Sequence, residues 1–135
     1  CHIPAELFRL LYKIKGAEHI CLVTDALRCC GNEGEHSSVG GVACVIKNGV
    51  AVLPDESAFA GSIATTDRLV RFCVQQVGIP LVEAVRMASA NPARVMGLEK
   101  KGRLAEGCDA DLVFFDEDIQ VKKVYVMGKA IREDV

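Results

Sequence analysis

The sequence lacks the features that mark membrane proteins and nucleic-acid-binding proteins. No apolar run approaches the roughly 20 residues that cross a bilayer, and no charged segment followed by an apolar one opens the chain as in a secretory signal. The formal net charge is only −2, and the largest basic cluster is the pair Lys122 and Lys123. Such a small cluster gives no case for attraction to a phosphate backbone or an anionic bilayer. We therefore expect no nucleic acid and no membrane among the partners.

Cysteine-pair motifs are also missing, although the chain has seven cysteines. None stands in the Cys-x-x-Cys spacing that zinc ribbons and thioredoxin-like sites use. Several lie inside apolar runs, where a free thiol behaves as a small hydrophobic side chain. This usage favours a reduced, cytoplasmic location. The adjacent Cys29 and Cys30 can be interpreted as a redox-active pair or as ordinary loop residues, and we favour the second interpretation.

The start of the chain has the pattern of a helix that leads into a buried strand. Residues 4–15 predict an amphipathic helix, with apolar residues about one turn apart at Leu7, Leu10, Leu11 and Ile14. Residues 20–23 are apolar at every position, which is typical of a strand that is buried on both faces in a parallel sheet. The run stops at Thr24 and Asp25. This position, the carboxyl end of a parallel strand, is where α/β barrels place catalytic groups.

The rest of the chain offers no partner for that strand. A length of 135 residues suits one compact domain or part of a larger one, but no second run like residues 20–23 follows. A lone barrel strand would leave backbone donors and acceptors unpaired along both edges. We therefore expect the missing strands to come from elsewhere, and the chain to be an incomplete catalytic domain.

The remaining segments predict a β-hairpin, then helices, then strands. Asn48 and Gly49 between two apolar, β-prone runs indicate a hairpin over residues 42–53. Residues 27–38 read as a polar loop that precedes it. The later elements that we predict are helices at 65–77 and from 80, with Val82, Val85, Met87 and Ala88 facing inward, a break at Asn91 and Pro92, a helical turn at 93–96, strands at 102–104 and 110–116, and a closing hairpin at 121–131.

Three segments together resemble one family of enzymes. Residues 102–113, GRLAEGCDADLV, look like the strand-turn-strand that closes many metal-dependent amidohydrolases. Residues 22–26, LVTDA, resemble the end of the eighth barrel strand of that superfamily. Residues 59–62, FAGS, followed by residues 87–93, MASANPA, complete the pattern. In this order and spacing the segments are most similar to N-acetylglucosamine-6-phosphate deacetylases.

The resemblance implies an architecture for the whole chain. The expected fold is α/β, the C-terminal portion of a TIM-like (β/α)8 amidohydrolase barrel with part of a small β-sandwich domain. Residues 1–30 would supply the last helix and strand of the barrel, and residues 31–58 a loop and an inserted hairpin. Residues 59–100 would form the C-terminal helices of the barrel, and residues 101–135 the last strands of the small domain.

The resemblance also implies an activity. The family hydrolyses the acetamide of N-acetylglucosamine 6-phosphate to glucosamine 6-phosphate and acetate, and it is expected to work as a cytoplasmic homodimer with a divalent metal ion, zinc in our prediction. A glutamate and two histidines from earlier barrel strands hold that metal in the family. No His-x-His occurs here, so we expect no metal ligand in this chain and no activity from it alone.

Five residues are the expected site residues. By resemblance, Asp25 is the acid and base of the reaction, His2 contacts the amino sugar, and Phe59, Ala60 and Gly61 line the sugar site. Without the resemblance, Asp25 reads as a capping residue after a strand, and the Phe59–Gly61 segment as an ordinary turn into a helix with the next serine as its N-cap.

Other functional interpretations stay open at this point. A different amidohydrolase, such as a deaminase or a cyclic-amide hydrolase, would share the barrel and the β domain. A β-rich interaction or sugar-binding module without catalysis is the alternative from another class. His19 at the start of the predicted strand is expected to be structural, and His36 to be a solvated loop residue. Asp109 and Asp111 are expected to serve a turn and a strand edge rather than chemistry.

Overall fold

A computed structural model describes residues 3–31 and 36–133 of the chain. They divide into two compact units. The first unit combines Cys1–Leu22 with Asp67–Val135, and the second is the continuous segment Val23–Thr66. The secondary structure is mixed, with helices concentrated in the first unit and a β-sheet in each. Among the described residues, no helix is both long and apolar enough to span a membrane.

The helices follow the predicted order with shifted ends. The predicted helix at residues 4–15 is α1, Ala5–Lys15, and Gly16 ends it with φ +72°. A 3-10 turn, Ala17–His19, follows it. The predicted helix at 65–77 is α2, Thr66–Phe72, continued by one π-helical turn at Cys73–Val77. The last two helices are α3, Leu81–Ala88, and α4, Ala90–Val95.

The core of the first unit lies between the helices and one turn of the C-terminal sheet. Met87 and Ala84 of α3 are completely buried, and they contact buried residues of the π-helical turn. The buried members of this cluster are Ala17, Val70, Cys73, Val77, Ile79, Ala84, Met87 and Ile119. Polar contacts surround the core: Arg9 donates to the carbonyl of Val77 at 2.9 Å, and the Tyr12 hydroxyl to Glu83 at 2.6 Å.

The face of α1 that packs is not the predicted one. Leu7, Leu10 and Ile14 are 47%, 53% and 68% exposed, whereas Ala5, Phe8 and Tyr12 lie against the core. Apolar residues occur on both sides of this helix, so periodicity alone could not decide which side contacts the described core. A similar error concerns α3, where Val82 was expected inside and is 71% exposed.

The segment predicted as a barrel strand forms no strand ladder among the described residues. Ile20 is extended, but Cys21 is exposed and Val23 is 71% exposed. A double-sided buried strand was expected, and the difference arises because no neighbouring strand pairs with residues 20–23 in the part of the chain that the structure describes. Helices hold the segment instead: the amide of Leu22 donates to the carbonyl of Met87 at 2.9 Å.

Asn91 is the second anchor of this segment. Its side chain is only 3% exposed, and its Nδ2 donates to the carbonyls of Ala17 at 2.6 Å and Ile20 at 2.7 Å. The sequence predicted a helix break at Asn91 and Pro92. The structure corrects this prediction, since the break falls at Ser89, with φ −131° and ψ −71°, and both residues lie inside α4. Proline is tolerated there because it stands in the first turn of the helix, where backbone amides lack intrahelical acceptors.

The second unit is built around the predicted hairpin. Strands β2, Val42–Lys47, and β3, Val50–Val52, pair antiparallel across Asn48 and Gly49, which confirms the hairpin. Two further strands were missed. The predicted loop ends in β1, His36–Val39, and the predicted turn before α2 contains β4, Phe59–Gly61. The sheet order is β1-β2-β3-β4.

The C-terminal sheet has three strands in the order β5-β6-β7. They are β5, Leu112–Phe115, β6, Val121–Val126, and β7, Lys129–Glu133, which confirms the closing hairpin. The strand predicted at residues 102–104 is wrong. Gly102 has φ +77°, and a Cβ on it would lie 2.9 Å from the Cα of Ala90, so this glycine serves a close approach to α4 rather than an extended strand.

The turn between β5 and β6 is fixed from α2. Buried Ile119 has φ +60°, which is unfavourable for a β-branched residue. Arg71 donates from Nη2 to the carbonyl of Ile119 at 2.7 Å and from Nε to that of Asp118 at 3.0 Å. Asp116 accepts the amides of Gln120 and Asp118, and the hydrogen bond from Gln120, followed by that from Lys122, holds the pKa of its carboxyl below the usual value. Contacts from two sides thus maintain the strained turn.

Loss of the Asn91 amide should destabilise the protein. In the gene product at its natural length, we expect Asn91→Ala to lower the free energy of unfolding by about 2–4 kcal/mol, because the carbonyls of Ala17 and Ile20 would lose a buried donor. Urea unfolding measures the change. Lys13→Ala, on the exposed side of α1, is the control and should change it by no more than about 0.5 kcal/mol. Equal effects of the two variants would contradict the anchor role.

Burial of the Cys73 thiol predicts a loss of stability in alkali. Desolvation raises the pKa of Cys73 to about 11 from 9.0. The thiol therefore ionises first in the unfolded chain, so its contribution to stability is lost as the pH rises from 9 towards 11. Denaturant unfolding at successive pH values should give a shallower decline for Cys73→Ala than for the unsubstituted protein. Cys21→Ala, at an exposed cysteine, should leave the decline unchanged.

Candidate active site

Asp25 occupies an unusual backbone conformation two residues after the segment 20–23, which the sequence predicted as a barrel strand. Its φ is +44°, in the left-handed region that few residues other than glycine, asparagine and aspartate adopt. The residue is exposed, and no hydrogen bond or ion pair joins its carboxylate to another described residue. Strained backbone of this kind concentrates at functional sites. The carboxylate is therefore accessible. Contacts of the surrounding residues must maintain the left-handed backbone of Asp25.

A parallel β-bridge brings the Asp25 segment next to the segment that follows β4. Ala26 is bridged to Ser62, and the amide of Leu27 donates to the carbonyl of Ser62 at 2.8 Å. Asp25 and Gly61 each directly precede a bridged residue. The bridge therefore brings their backbones near each other, although 35 residues lie between them in the sequence.

The Phe59–Gly61 segment is a strand and not the turn that the sequence suggested. It forms β4 and pairs with β3, with Val52 opposite Phe59. Phe59 is 69% exposed, while Ala60 and Gly61 are half-buried. The next residue, Ser62, is not the N-cap of α2, which begins four residues later. Its Oγ accepts the amide of Ala64 at 3.1 Å and so shapes the exit from the strand.

Two contacts near Asp25 were missed in the sequence. The side chain of Leu27 covers the Cα of Gly61 so closely that a Cβ on Gly61 would lie 2.8 Å from Leu27 Cδ2. The thiol of Cys30 donates to the carbonyl of Ile63 at 3.2 Å. A glycine inside a strand signals a close approach, but the sequence does not identify the side chain that fills the space.

The three histidines of the sequence have different outcomes. His2 lies outside the described residues. His19 ends the 3-10 turn and bonds through Nδ1 with the carbonyl of Lys15 at 2.9 Å, and His36 begins β1 instead of lying in a loop. Within residues 3–31 and 36–133, no group of three or more His, Cys, Asp or Glu side chains could hold a metal ion.

Asp109 and Asp111 take part in a structural contact. Lys101 Nζ lies 3.0 Å from Asp109 and 2.5 Å from Asp111, and the amide of Met127 donates to Asp111 at 2.9 Å. The hydrogen bond from Lys101 is the main cause that holds the pKa of the Asp111 carboxyl below its usual value. These contacts attach the loop before β5 to the turn between β6 and β7.

Comparison with known proteins identifies the family of this chain. A sequence model of the Amidohydrolase family matches residues 8–131, nearly the whole chain. The chain belongs to the amidohydrolase family. That match includes Asp25, Gly61 and the Lys101 contacts. The family expected from the three sequence segments is confirmed.

Two curated relatives of this amidohydrolase chain are amino-sugar-phosphate deacetylases. It is 36% identical to the N-acetylglucosamine-6-phosphate deacetylase of Lysinibacillus sphaericus, over 95% of this chain and 33% of the relative. It is 31% identical to the N-acetylgalactosamine-6-phosphate deacetylase of a Shewanella species (strain ANA-3), over 89% of this chain and 30% of that protein. The chain thus spans about a third of the length of these curated relatives.

A solved structure gives the same result at the level of the fold. It is an aspartate-to-alanine mutant of the N-acetyl-D-glucosamine-6-phosphate deacetylase of Mycobacterium smegmatis, in complex with N-acetyl-D-glucosamine 6-phosphate. The match has a TM-score of 0.88 at 33% identity and covers 97% of this chain and 35% of that one. The predicted α/β fold class, a part of a larger amidohydrolase fold, is confirmed.

Proposed function

We propose that the gene product hydrolyses the acetamide of N-acetylglucosamine 6-phosphate, releasing acetate and glucosamine 6-phosphate. The observation that carries this proposal is the position of Asp25. An exposed carboxylate on a strained backbone lies beside Gly61, in a chain that belongs to the amidohydrolase family. The deacetylase relatives supply the substrate class, since amino-sugar phosphates are named for each of those described above.

Asp25 is the acid and base of the proposed reaction. Hydrolysis of an acetamide needs a water that attacks the carbonyl carbon and a proton for the departing nitrogen. The Asp25 carboxylate takes a proton from the attacking water, and it delivers that proton to the nitrogen as the C–N bond breaks. Its exposure and its lack of a partner among the described residues leave it available for both transfers.

The Phe59–Gly61 strand is the proposed wall of the sugar site. The strand runs from the exposed Phe59 to the half-buried Gly61 next to Asp25, where Leu27 covers the Cα of the glycine, so a ligand would meet the strand on its exposed part. The exposed ring of Phe59 offers an apolar surface to the sugar. His2 completes the proposed substrate contacts as an expectation from the resemblance alone.

A divalent metal ion, zinc in our prediction, is part of this proposal. A bound metal lowers the pKa of a water ligand and polarises a carbonyl. The described residues do not fit such an ion by themselves, since they contain no suitable group of ligands, and the roles proposed for Asp25 and the Phe59–Gly61 strand do not include holding it. We further propose that residues 1–135 expressed alone are inactive and that the active protein is a cytoplasmic homodimer. The segments 1–30, 31–58, 59–100 and 101–135 are the proposed divisions of this chain.

An assay of substrates tests the proposed function. The gene product at its natural length should release acetate from N-acetylglucosamine 6-phosphate, and a chelator should abolish the release until zinc is returned. The Shewanella relative makes N-acetylgalactosamine 6-phosphate the second candidate substrate. The kcat/KM ratio for the two 4-epimers decides between them. Hydrolysis of a cyclic amide or deamination of a nucleobase, without release of acetate, would reject both candidates.

Replacement of Asp25 tests the proposed acid and base. Asparagine adopts left-handed backbone as readily as aspartate, so Asp25→Asn removes the charge and keeps the conformation. We expect kcat to fall by about 10²–10⁴-fold while KM changes little. Asp25→Ala should lose as much activity and should also be less stable, because alanine at this φ costs about 1–2 kcal/mol.

A second acidic residue of the same unit, Asp55, provides the matched control. It lies in the same unit, in the turn after β3, where its carboxylate accepts hydrogen bonds from Ser57. Asp55→Asn should leave kcat within about twofold of the unsubstituted protein, as expected for a surface change away from the site. An Asp25→Asn enzyme as active as Asp55→Asn would show that Asp25 is not the acid and base.

A further inference from the structure

The left-handed backbone of Asp25 has to be held by contacts outside the residue. A φ of +44° is tolerated by aspartate better than by most residues, but it is still less favourable than right-handed or extended backbone and needs neighbouring structure to fix it. The carboxylate cannot do this itself, because it has no partner among the described residues. Within the Val23–Thr66 unit, the contacts that can hold Asp25 are made by the residues that follow it.

The backbone after Asp25 is attached to the segment after β4 at two positions along the chain. Ala26 is bridged to Ser62, and the amide of Leu27 donates to the carbonyl of Ser62 at 2.8 Å. Further along, the Cys30 thiol reaches the carbonyl of Ile63 at 3.2 Å. These bonds join the two segments, but backbone bonds alone do not select one register, because every residue offers the same groups.

The side chain of Leu27 selects the register, which the backbone hydrogen bonds alone cannot do. Its Cδ2, Cδ1 and Cγ would lie 2.8, 3.1 and 3.1 Å from a Cβ on Gly61, so its side chain occupies the space that only a glycine leaves empty. The residues on either side, Ala60 and Ser62, both carry a Cβ. A shift by one residue in either direction would place the Leu27 side chain against one of them, and only the observed register avoids this collision.

We propose that Leu27 is a positioning residue for the Asp25 carboxylate. Its side chain packs on the Cα of Gly61 and thereby fixes the register that puts Asp25 beside the proposed sugar-binding strand. This inference rests on the proposed deacetylase function. A shift of one residue would move Asp25 by about 3.3 Å along the strand, and a misplacement of about 1 Å can already lower a rate by about 100-fold.

Four variants of the gene product at its natural length test the inference. Leu27→Ala should lower kcat for N-acetylglucosamine 6-phosphate by about 10- to 100-fold, with KM changed less than about threefold. Leu27→Met, which conserves the volume, should keep kcat within about threefold. Gly61→Ala should also lower kcat, because its methyl group collides with Leu27. In the double variant, Leu27→Ala with Gly61→Ala, the methyl group gains room.

The double variant is the decisive member of the set. Its loss of kcat should be at least fivefold smaller than the product of the two single losses, since the two side chains compete for one space. Recovery is incomplete, because a φ of +157° at residue 61 is itself unfavourable for alanine. Two losses that simply multiply would mean that Leu27 and Gly61 act independently, and this result would overturn the inference.

Ile79→Ala separates positioning from a general loss of stability. Ile79 is 2% exposed in the core of the first unit, so the variant creates a buried cavity outside the unit that contains the Leu27 contact. It should lower the unfolding midpoint as much as Leu27→Ala does and leave kcat within about threefold. If kcat falls equally in both variants at equal stability, Leu27 is merely a packing residue and the inference fails.

The outcome for the unsubstituted protein distinguishes the two proposals. Absence of acetate release from it would reject the proposed function, and the positioning role would fall with that function. An active protein whose Leu27→Ala variant is equally active would reject only the role of Leu27. Hydrogen exchange of the residue 27 amide, which is bonded to Ser62, gives a readout without substrate: Leu27→Ala should accelerate it at least tenfold, and Ile79→Ala should not.

Discussion

The stretch from Ala17 to Cys30 is held by hydrogen bonds near its two ends rather than by a strand ladder. At the first end, Asn91 binds two carbonyls and Met87 accepts the amide of Leu22. At the second end, the backbone is bonded to Ser62 and Ile63. Asp25 lies between these anchors. The position of the one candidate catalytic carboxylate therefore depends on a few side-chain and backbone contacts, each formed inside its own unit.

The sequence predicted those elements whose signals are local. Asn48 and Gly49 favour a tight turn between β-prone runs, and the hairpin formed there. The ends of α1 that Pro4 and Gly16 predict agree with the observed ends to within one residue. Local signals failed where one sequence pattern is compatible with two different structures. Gly102 reads equally well as part of a strand or as a close contact, and only the presence of α4 beside it decides between them.

The candidate site was predicted residue by residue, but its arrangement was not. Resemblance pointed to Asp25 and Gly61 separately. Their adjacency depends on a parallel register between distant segments, and no periodicity in one sequence encodes such a register. The strained φ of Asp25 and the covering side chain of Leu27 belong to the same category. They result from tertiary contacts, which a pattern of residue types does not specify.

The unpaired stretch at residues 20–23 has a consequence for handling the chain in solution. Cys21 and Val23 form no backbone hydrogen bond with any described residue, and both are exposed. An extended backbone with unused amides and carbonyls next to apolar side chains accepts another strand readily. Concentrated preparations of these 135 residues by themselves would consequently tend to associate and precipitate, so an additive or fusion that masks this stretch would be the first means of keeping them dispersed.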